Sequence, residues 1–157
     1  MRQLRFAADA MLGKLAKWLR IVGYDTAYYS DIDDARLIGL AHAEDRFILT
    51  RDTALARRLA PGSFLFIMDN EPLSQFVQTI RELGLVVDRE RIFSLCTLCN
   101  MPLENVDRES VRDVVPEYTF TVNETYTRCG SCGRIYWTGT HRERVLRRLS
   151  AAGIIVR

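Results

Sequence analysis

The stretch Ile48-Leu49-Thr50-Arg51-Asp52 is a short apolar run that ends in a threonine, an arginine and a carboxylate. A buried parallel strand has this pattern, and ligands of open α/β sheets bind just outside the carboxyl ends of the strands. The same layout recurs at residues 4–8, which precede Asp9, and at residues 64–68, which precede Asp69. Three strands that each lead into an aspartate predict a shared carboxylate cluster, whose oxygen ligands suit Mg²⁺ or Mn²⁺.

Apolar strands alternate with amphipathic helices through the first 92 residues. The predicted strands span residues 3–8, 24–29, 47–50 and 64–68, and a further short strand is predicted around 85–93. The predicted helices span residues 11–22, about 34–44, 53–59 and 72–83, where apolar side chains recur at helical spacing. This alternation predicts an α/β domain in which helices cover both faces of a parallel sheet.

Length and composition indicate a globular chain with one main core. The chain has 157 residues, enough for that core and a small appendage, and its contents of 48% hydrophobic and 27% charged residues are typical of soluble proteins. It has no apolar run of membrane-spanning length and no signal segment before the first strand, so we expect a cytoplasmic location without membrane association. The net charge is only +2, but residues 128–157 hold seven arginines and one acid, Glu143, which predicts a positive face.

The four cysteines form two Cys-x-x-Cys pairs separated by one long insertion. The pairs are Cys96/Cys99 and Cys129/Cys132. Disulfides are rare in the expected compartment, and this paired spacing is typical of a tetrahedral zinc site. A redox Cys-x-x-Cys motif or a set of unrelated buried thiols are the alternatives.

The sequence changes character near residue 93, where we place a domain boundary. Residues 1–92 form the predicted α/β domain, and residues 93–157 form a zinc ribbon followed by a basic helix at about 141–151. Residues 118–122 alternate as a strand should, and residues 134–137 are a second candidate strand. Such a ribbon has too small a core to fold without its ion, so the zinc is predicted to be structural.

Carboxylates that converge from different strands fit the chemistry of phosphodiester hydrolysis, in which bound divalent cations activate water and neutralise charge. Asp9 and Asp52 are the first two candidates, because each directly follows a buried strand. Asp34 is the third, although Asp33 is able to replace it and either acid is also a natural helix cap. Asp69 is a fourth candidate, with an ordinary turn residue as the alternative.

Basic and aromatic residues supply candidate contacts for a phosphate or a nucleic-acid base. Lys14 lies near the start of the first predicted helix, and Arg51 stands beside Asp52, where it either binds phosphate or pairs with an aspartate. The candidates for stacking on and binding to single-stranded RNA are Tyr136, Trp137, His141 and Arg142. The alternative is that Tyr136 and Trp137 pack the ribbon onto the main domain.

These motifs together resemble one known family. The matching segments are residues 9–20, 23–26, 34–37, 49–52, 96–100, 129–132 and 136–141. They are similar to the Mut-seven C-terminal RNase domain family, which consists of PIN-like nucleases with an attached zinc ribbon. The resemblance covers nearly the whole chain and implies a three-layer PIN-like domain with a parallel sheet.

The resemblance also implies an activity and a set of ligands. Asp9, Asp34 and Asp52 would bind the catalytic Mg²⁺ or Mn²⁺ of a ribonuclease, with Asp69 as an extension of the set. The four cysteines would bind structural zinc, and RNA would be the substrate. A non-catalytic RNA-binding module is the competing function. A nucleotide-handling or phosphatase-like enzyme is a third, and the lack of a glycine-rich phosphate loop disfavours it.

Overall fold

The computed structural model describes residues 2–157, and its centre is a sheet of four parallel strands. The strands are β1 (Phe6–Ala8), β2 (Thr26–Ala27), β3 (Phe47–Thr50) and β4 (Phe64–Phe66). Their spatial order is β2-β1-β3-β4, and Ala7 of β1 is paired with Ala27 of β2 and with Ile48 of β3. The predicted parallel sheet is therefore confirmed, and β3 has the predicted bounds.

Each of these strands is followed by a helix, and the helices cover both faces of the sheet. They are α1 (Gly13–Ile21), α2 (Asp34–Glu44), α3 (Thr53–Ala56) and α4 (Pro72–Glu82). Side chains alternate between the two faces of a strand, so Phe6, Ala8 and Leu49 contribute to the larger core with α1 and α4. Ala7 and Ile48 contribute to the smaller core with α2 and α3. The result is a three-layer α/β arrangement.

A smaller antiparallel sheet follows a short 3₁₀ turn at Arg89–Arg91. Its strands are β5 (Leu103–Val106), β6 (Tyr126–Cys129) and β7 (Ile135–Trp137), in the order β5-β6-β7. A second 3₁₀ turn (Arg108–Val111) and helix α5 (Glu117–Val122) lie in the connection between β5 and β6. The strand predicted at residues 134–137 is confirmed as β7.

The strand predicted at residues 118–122 is wrong, because these residues form most of helix α5. An alternating pattern favours a strand only where a neighbouring strand buries one of its faces. Here Tyr118 and Val122, one helical turn apart, are both exposed. Phe120 is covered instead by the Arg108 guanidinium, which lies 3.8 Å from the centre of its ring. Local helical hydrogen bonds therefore prevail over the pattern.

The further strand predicted around residues 85–93 is also wrong. Val87 forms a single parallel bridge to Val156, and the 3₁₀ turn at Arg89–Arg91 follows it directly. The Arg89 N–H donates to the Arg157 carbonyl at 2.7 Å, and the Arg157 N–H donates to the Val87 carbonyl at 2.9 Å. These few bonds hold the C-terminal residues without extending the sheet.

Helix α6 (Thr140–Ala151) follows the small sheet in the chain but packs in the larger core. Val145 and Leu149 on α6 join the core cluster that contains Trp18 and Phe76, and Ile154 joins it from the residues after the helix. The division into residues 1–92 and 93–157 remains a prediction, although α6 gives its apolar face to the first of these units. Neither α6 nor any other helix within residues 2–157 is long and apolar enough to cross a membrane.

Candidate active site and metal centre

Asp9 lies immediately after β1 and is held by three hydrogen bonds. Its residue surface is only 5% exposed. The Met11 N–H donates to Oδ1 at 2.8 Å, while the Thr50 hydroxyl and the Arg51 N–H donate to Oδ2 at 2.6 and 2.9 Å. A buried carboxylate is costly unless hydrogen bonds or a cation stabilise its charge. The loops after β1 and β3 therefore fix this carboxylate at the carboxyl edge of the sheet.

Thr50, the last residue of β3, connects Asp9 with Asp52. Its buried hydroxyl donates to Asp9 and accepts the Asp52 N–H at 3.0 Å. Asp52 is the N-cap of α3, where its Oδ1 accepts the N–H groups of Ala54 at 2.8 Å and Leu55 at 3.2 Å. Its Oδ2 has no hydrogen-bond partner within residues 2–157, so one oxygen of this carboxylate is available to a ligand.

Asp33 and Asp34 stand at the start of α2 with different partners. Asp33 is the N-cap, and its Oδ1 accepts the Arg36 N–H at 2.8 Å. Asp34 lies in the first turn, where its Oδ2 is 3.7 Å from a guanidinium nitrogen of Arg58. The capping bond thus gives Asp33 the structural role, and Asp34 remains the candidate ligand at this position.

The remaining candidates, Asp69, Arg51 and Lys14, differ in the hydrogen bonds that their side chains already make within the protein. Asp69 is exposed, and its Oδ1 accepts the Glu71 N–H at 2.9 Å, which is the turn role offered as its alternative. The Arg51 guanidinium donates to Asn70 Oδ1, while its buried Nε has no hydrogen-bond partner in the described chain. Lys14 is exposed in the first turn of α1. Lys14 therefore presents an exposed cation, whereas the unpaired donor of Arg51 is buried.

The four candidate aspartates share the edge at which the parallel strands end. Asp9, Asp52 and Asp69 follow β1, β3 and β4, and Asp34 begins the helix that follows β2. Their carboxylate oxygens are not gathered closely enough to bind one ion as they stand. Within residues 2–157, the four cysteines are the only Asp, Glu, His or Cys side chains that are gathered in this way. Carboxylates repel one another when no cation lies between them. The link between Asp9 and Asp52 through Thr50 is observed, and the convergence of all four aspartates on one metal site stays a prediction.

The four cysteines form a compact cluster. All four sulfur atoms lie within 4.8 Å of one another; they belong to Cys96, Cys99, Cys129 and Cys132. The residue after each pair, Asn100 or Gly133, has a left-handed backbone with φ of 63° or 74°. In both turns its N–H donates at 2.9 Å to the carbonyl of the first cysteine of the pair. Two matched turns that gather four sulfurs are able to bind a zinc ion.

The thiols differ in how readily they ionise. Burial raises the pKa of Cys96, but hydrogen bonds from the Tyr136 hydroxyl and the Cys99 N–H outweigh burial and lower the pKa to about 6. The hydrogen bond with Cys132 raises the pKa of Cys99 to about 11. Crowded sulfurs disfavour several negative charges at once, and a cation removes this penalty. The electrostatics of the cluster therefore suit a metal centre.

Arg20, on α1, joins the first cysteine turn to the parallel sheet. Its buried side chain donates from Nε to the Thr26 carbonyl at 2.9 Å, and from Nη1 to the carbonyls of Thr97 and Leu98 at 2.9 and 3.1 Å. Burial lowers the pKa of Arg20, and the nearby cysteine thiols act in the opposite direction. Sequence reasoning missed this residue, because three basic side chains on one helix resemble a solvated face.

Asn100 makes a second connection between the same two units. Its Oδ1 accepts the Thr26 N–H at 2.9 Å, and its Nδ2 donates to Asp25 Oδ1 at 2.6 Å. Burial raises the pKa of Asp25, but hydrogen bonds from Arg46 and Asn100 outweigh it and lower the pKa. Asn100 was detectable in the sequence, since it follows the first cysteine pair at the position that Gly133 occupies after the second.

The residues predicted to contact RNA have different surroundings. The Tyr136 hydroxyl lies 3.3 Å from Cys96 Sγ, so this side chain packs within the cysteine centre itself, which is neither an RNA contact nor the predicted packing of the ribbon onto the main domain. Trp137 and His141 are exposed. Arg142 is partly buried and donates to the Arg89 carbonyl at 2.8 Å. RNA contacts by these residues remain a prediction.

The fold and the two sites define a mixed α/β protein with an acidic sheet edge and a four-cysteine centre. The comparison with protein families matches the Mut7-C RNAse domain over residues 4–149, which include both sheets and most of α6. The chain therefore belongs to the Mut7-C RNAse domain family. Membership supports a nuclease type of hydrolase activity and suggests RNA as the substrate. The comparisons with curated proteins and with solved structures find no match.

Proposed function

We propose that this chain is a metal-dependent ribonuclease of PIN-like architecture, which hydrolyses RNA phosphodiester bonds at the carboxyl edge of its parallel sheet. The observation that carries the proposal is the hydroxyl of Thr50, which links the carboxylates after β1 and β3. Neighbouring strands of an open α/β sheet place their ligand-binding residues at this edge. The family membership supports a nuclease activity for the same edge.

Asp9, Asp34 and Asp52 are the proposed ligands of Mg²⁺ or Mn²⁺, and Asp69 extends the set. A carboxylate has roughly four acceptor sites, and the three hydrogen bonds to Asp9 leave it room for a further partner. Asp52 contributes its free Oδ2. Divalent cations held by such oxygens activate water and neutralise charge on the phosphate. The residues present therefore fit this class of cation.

Arg51 and Lys14 are proposed to bind the substrate phosphate. Arg51 is half-buried and uses one guanidinium nitrogen on exposed Asn70, and a guanidinium carries five N–H donors, so others remain for a phosphate oxygen. Lys14 is exposed on the helix that begins four residues after Asp9. The positive side chains of Arg51 and Lys14 would stabilise the negative charge that develops on the phosphate as water bonds to phosphorus and the ribose oxygen leaves.

The cysteine centre is proposed to bind structural zinc, with the ribbon and the basic α6 contributing to RNA binding. Seven arginines within residues 128–157 support an attraction to a polyanion. Trp137, His141 and Arg142 are the candidate contacts in this part of the chain. The expected cytoplasmic location belongs to the same proposal.

A cleavage assay on end-labelled RNA with Mg²⁺ or Mn²⁺ tests the proposed activity. Asp52→Asn retains a helix-capping side chain but removes the charge, so we expect a folded protein whose rate falls on the order of 100-fold or more. Asp45→Asn is the matched control, because Asp45 ends α2 beside the opposite edge of the sheet. A wild-type protein that cuts no RNA with either cation, or an equally active Asp52→Asn variant, contradicts the proposal.

A non-catalytic RNA-binding module is the second candidate. The observation that favours it is that the aspartates already have protein partners and are not gathered as the cysteines are. This function predicts that the wild type and Asp52→Asn bind RNA equally well and that neither cleaves it. The same assay, run with a binding measurement, separates the two candidates.

A further inference from the structure

Helix α6 places one of its arginines over an aromatic ring of α1. The Arg148 guanidinium carbon lies 4.9 Å from the centre of the Trp18 ring. Val145 and Leu149 of α6 belong to the same buried cluster as Trp18, so the packing of α6 fixes where Arg148 lies. The Trp18 ring packs in turn against Phe76 of α4, with the ring centres 5.5 Å apart. A cation from the last helix is therefore held where α1 meets α4.

Arg148 lies close to the acidic edge of the parallel sheet. Both α1 and α4 begin at this edge, because each follows a parallel strand. Trp18 and Phe76 come five and four residues after the starts of their helices, a rise of about 6–8 Å along the helix axis. Hydrogen bonds from backbone N–H groups in the first turn of α4 lower the pKa of Glu71, and the charge of Arg148 acts in the same direction. Arg148 is therefore within electrostatic reach of the residues that follow β4.

Two further cations lie next to Arg148 and Trp18. Lys14 comes one helical turn before Trp18 on α1, and residues four apart are neighbours on one helix face. Arg144 has the same relation to Arg148 on α6. Lys14, Arg144 and Arg148 are all exposed, and we name them the cation track. Because Lys14 lies in the first turn of α1, the cation track extends from α6 to the acidic edge.

No member of the cation track forms an ion pair within residues 2–157. Arg142 on the same helix differs, because its guanidinium donates to the Arg89 carbonyl at 2.8 Å. Like charges that are gathered without counter-ions repel one another, and a bound polyanion removes this repulsion. The phosphates of a nucleic acid strand form such a series of negative charges. The cation track therefore suits a phosphodiester backbone.

We infer that the cation track binds consecutive phosphates of an RNA strand that extends from the acidic edge along α1 and α6. The inference rests on the proposed ribonuclease function. It adds Arg144 and Arg148 to the substrate-binding residues, whereas the sequence indicated Arg142 on the same helix. The contact with Trp18 restricts the Arg148 guanidinium before RNA binds, which lowers the entropy cost of ordering this side chain.

The test measures binding of a labelled single-stranded RNA by fluorescence anisotropy over a range of salt concentrations, with the zinc-loaded full chain carrying Asp52→Asn. We expect Arg148→Gln to raise the Kd about fivefold, the upper end for one exposed ion pair. The slope of log Kd against log salt concentration should also fall by about 0.7, the contribution of one phosphate contact on a single strand.

Arg147→Gln is the matched control for Arg148→Gln. It removes the same charge from the adjacent residue of α6, which is also exposed but lies on a different face of the helix. Its Kd should stay within about twofold of the parent value, and its salt slope should not change.

Cleavage by the chain with Asp52 intact gives a second measurement. Arg148→Gln should raise KM and leave kcat within about twofold, because a cation that contacts RNA outside the scissile bond binds the ground state and the transition state equally. A fall in kcat with an unchanged KM would contradict a role in binding the strand outside that bond.

The outcomes separate this inference from the proposed function. Equal Kd values and equal salt slopes for Arg148→Gln and Arg147→Gln overturn the inference. If the chain with Asp52 intact still cleaves RNA in that case, the ribonuclease proposal stands. If that chain neither binds nor cleaves RNA, both fail. Binding that depends on Arg148 without any cleavage supports the cation track and contradicts the nuclease.

Discussion

The cysteine centre and the acidic edge present their ligands in opposite ways. Four sulfurs lie within 4.8 Å of one another, supplied by two short turns that repeat the same backbone geometry. The aspartates come from four separate loops, and Asp52 is also a helix cap. A local turn is able to assemble a ligand pair by itself. An edge built from several loops depends on the sheet for its alignment.

This difference teaches which site depends on which part of the fold. The cysteine sulfurs contact mainly one another and the Tyr136 hydroxyl. We therefore expect a bound metal to hold them together. The carboxylate of Asp9 is held by backbone N–H groups and by Thr50, so the sheet provides its cohesion. We therefore expect loss of the metal to damage the ribbon, and loss of buried hydrogen bonds to damage the edge.

Removal of one sulfur ligand should have the largest effect. Cys129→Ser replaces a buried cysteine sulfur, so we expect the zinc content to fall from one ion per chain towards none and the unfolding temperature to fall by at least about 10 °C. Elemental analysis and calorimetry measure the two effects. Gly130→Ala is the control, because a Cβ there meets open space. Unchanged zinc content in Cys129→Ser would contradict the view that a metal bound by the four sulfurs holds the cysteine centre together.

The next largest effect is expected at the connection between the two regions. Arg20→Met keeps most of the side-chain volume but leaves the carbonyls of Thr26, Thr97 and Leu98 without their donor. We expect the free energy of unfolding to fall by about 3 kcal/mol or more. Urea denaturation measures it, with Lys17→Met as the exposed control on the same helix. Equal stabilities of the two variants would mean that the connection contributes little.

A smaller effect is expected within the acidic edge. Thr50→Val preserves shape but removes the hydroxyl that donates to Asp9 and accepts from Asp52, so we expect a loss of about 2 kcal/mol in unfolding free energy. Cleavage, if the proposed activity holds, should fall more steeply than it does with the exposed Thr53→Val. Equal effects of the two variants on stability and cleavage would remove Thr50 from the site.

Local patterns predicted the parts of the molecule that local interactions build. The strand at residues 47–50 and the four cysteines needed only hydrophobic run length and spacing. Residues 118–122 alternate like a strand but form a helix, because no neighbouring strand pairs with them. The local sequence carries no sign that this partner is missing. Arg20 was missed for a related reason. Its three acceptors include two carbonyls more than 70 residues away in the chain.

The smallest effect, and the finest test of the comparison, is expected at Asn100. Glycine accepts its left-handed φ of 63°, so Asn100→Gly removes two hydrogen bonds without backbone strain and should cost about 1 kcal/mol. Asn100→Ala loses the same bonds and adds about 1 kcal/mol of strain. Urea denaturation measures both costs.

Zinc content and hydrogen exchange show where the loss at Asn100 acts. If metal holds the cysteine turn together, both variants should retain one zinc ion. The Thr26 N–H should nevertheless exchange faster, because Asn100 is its acceptor at the edge of the parallel sheet. If Asn100→Gly also loses zinc, the cysteine centre depends on the sheet as the acidic edge does. The contrast between the two regions would then be one of degree, with β2 as their common support.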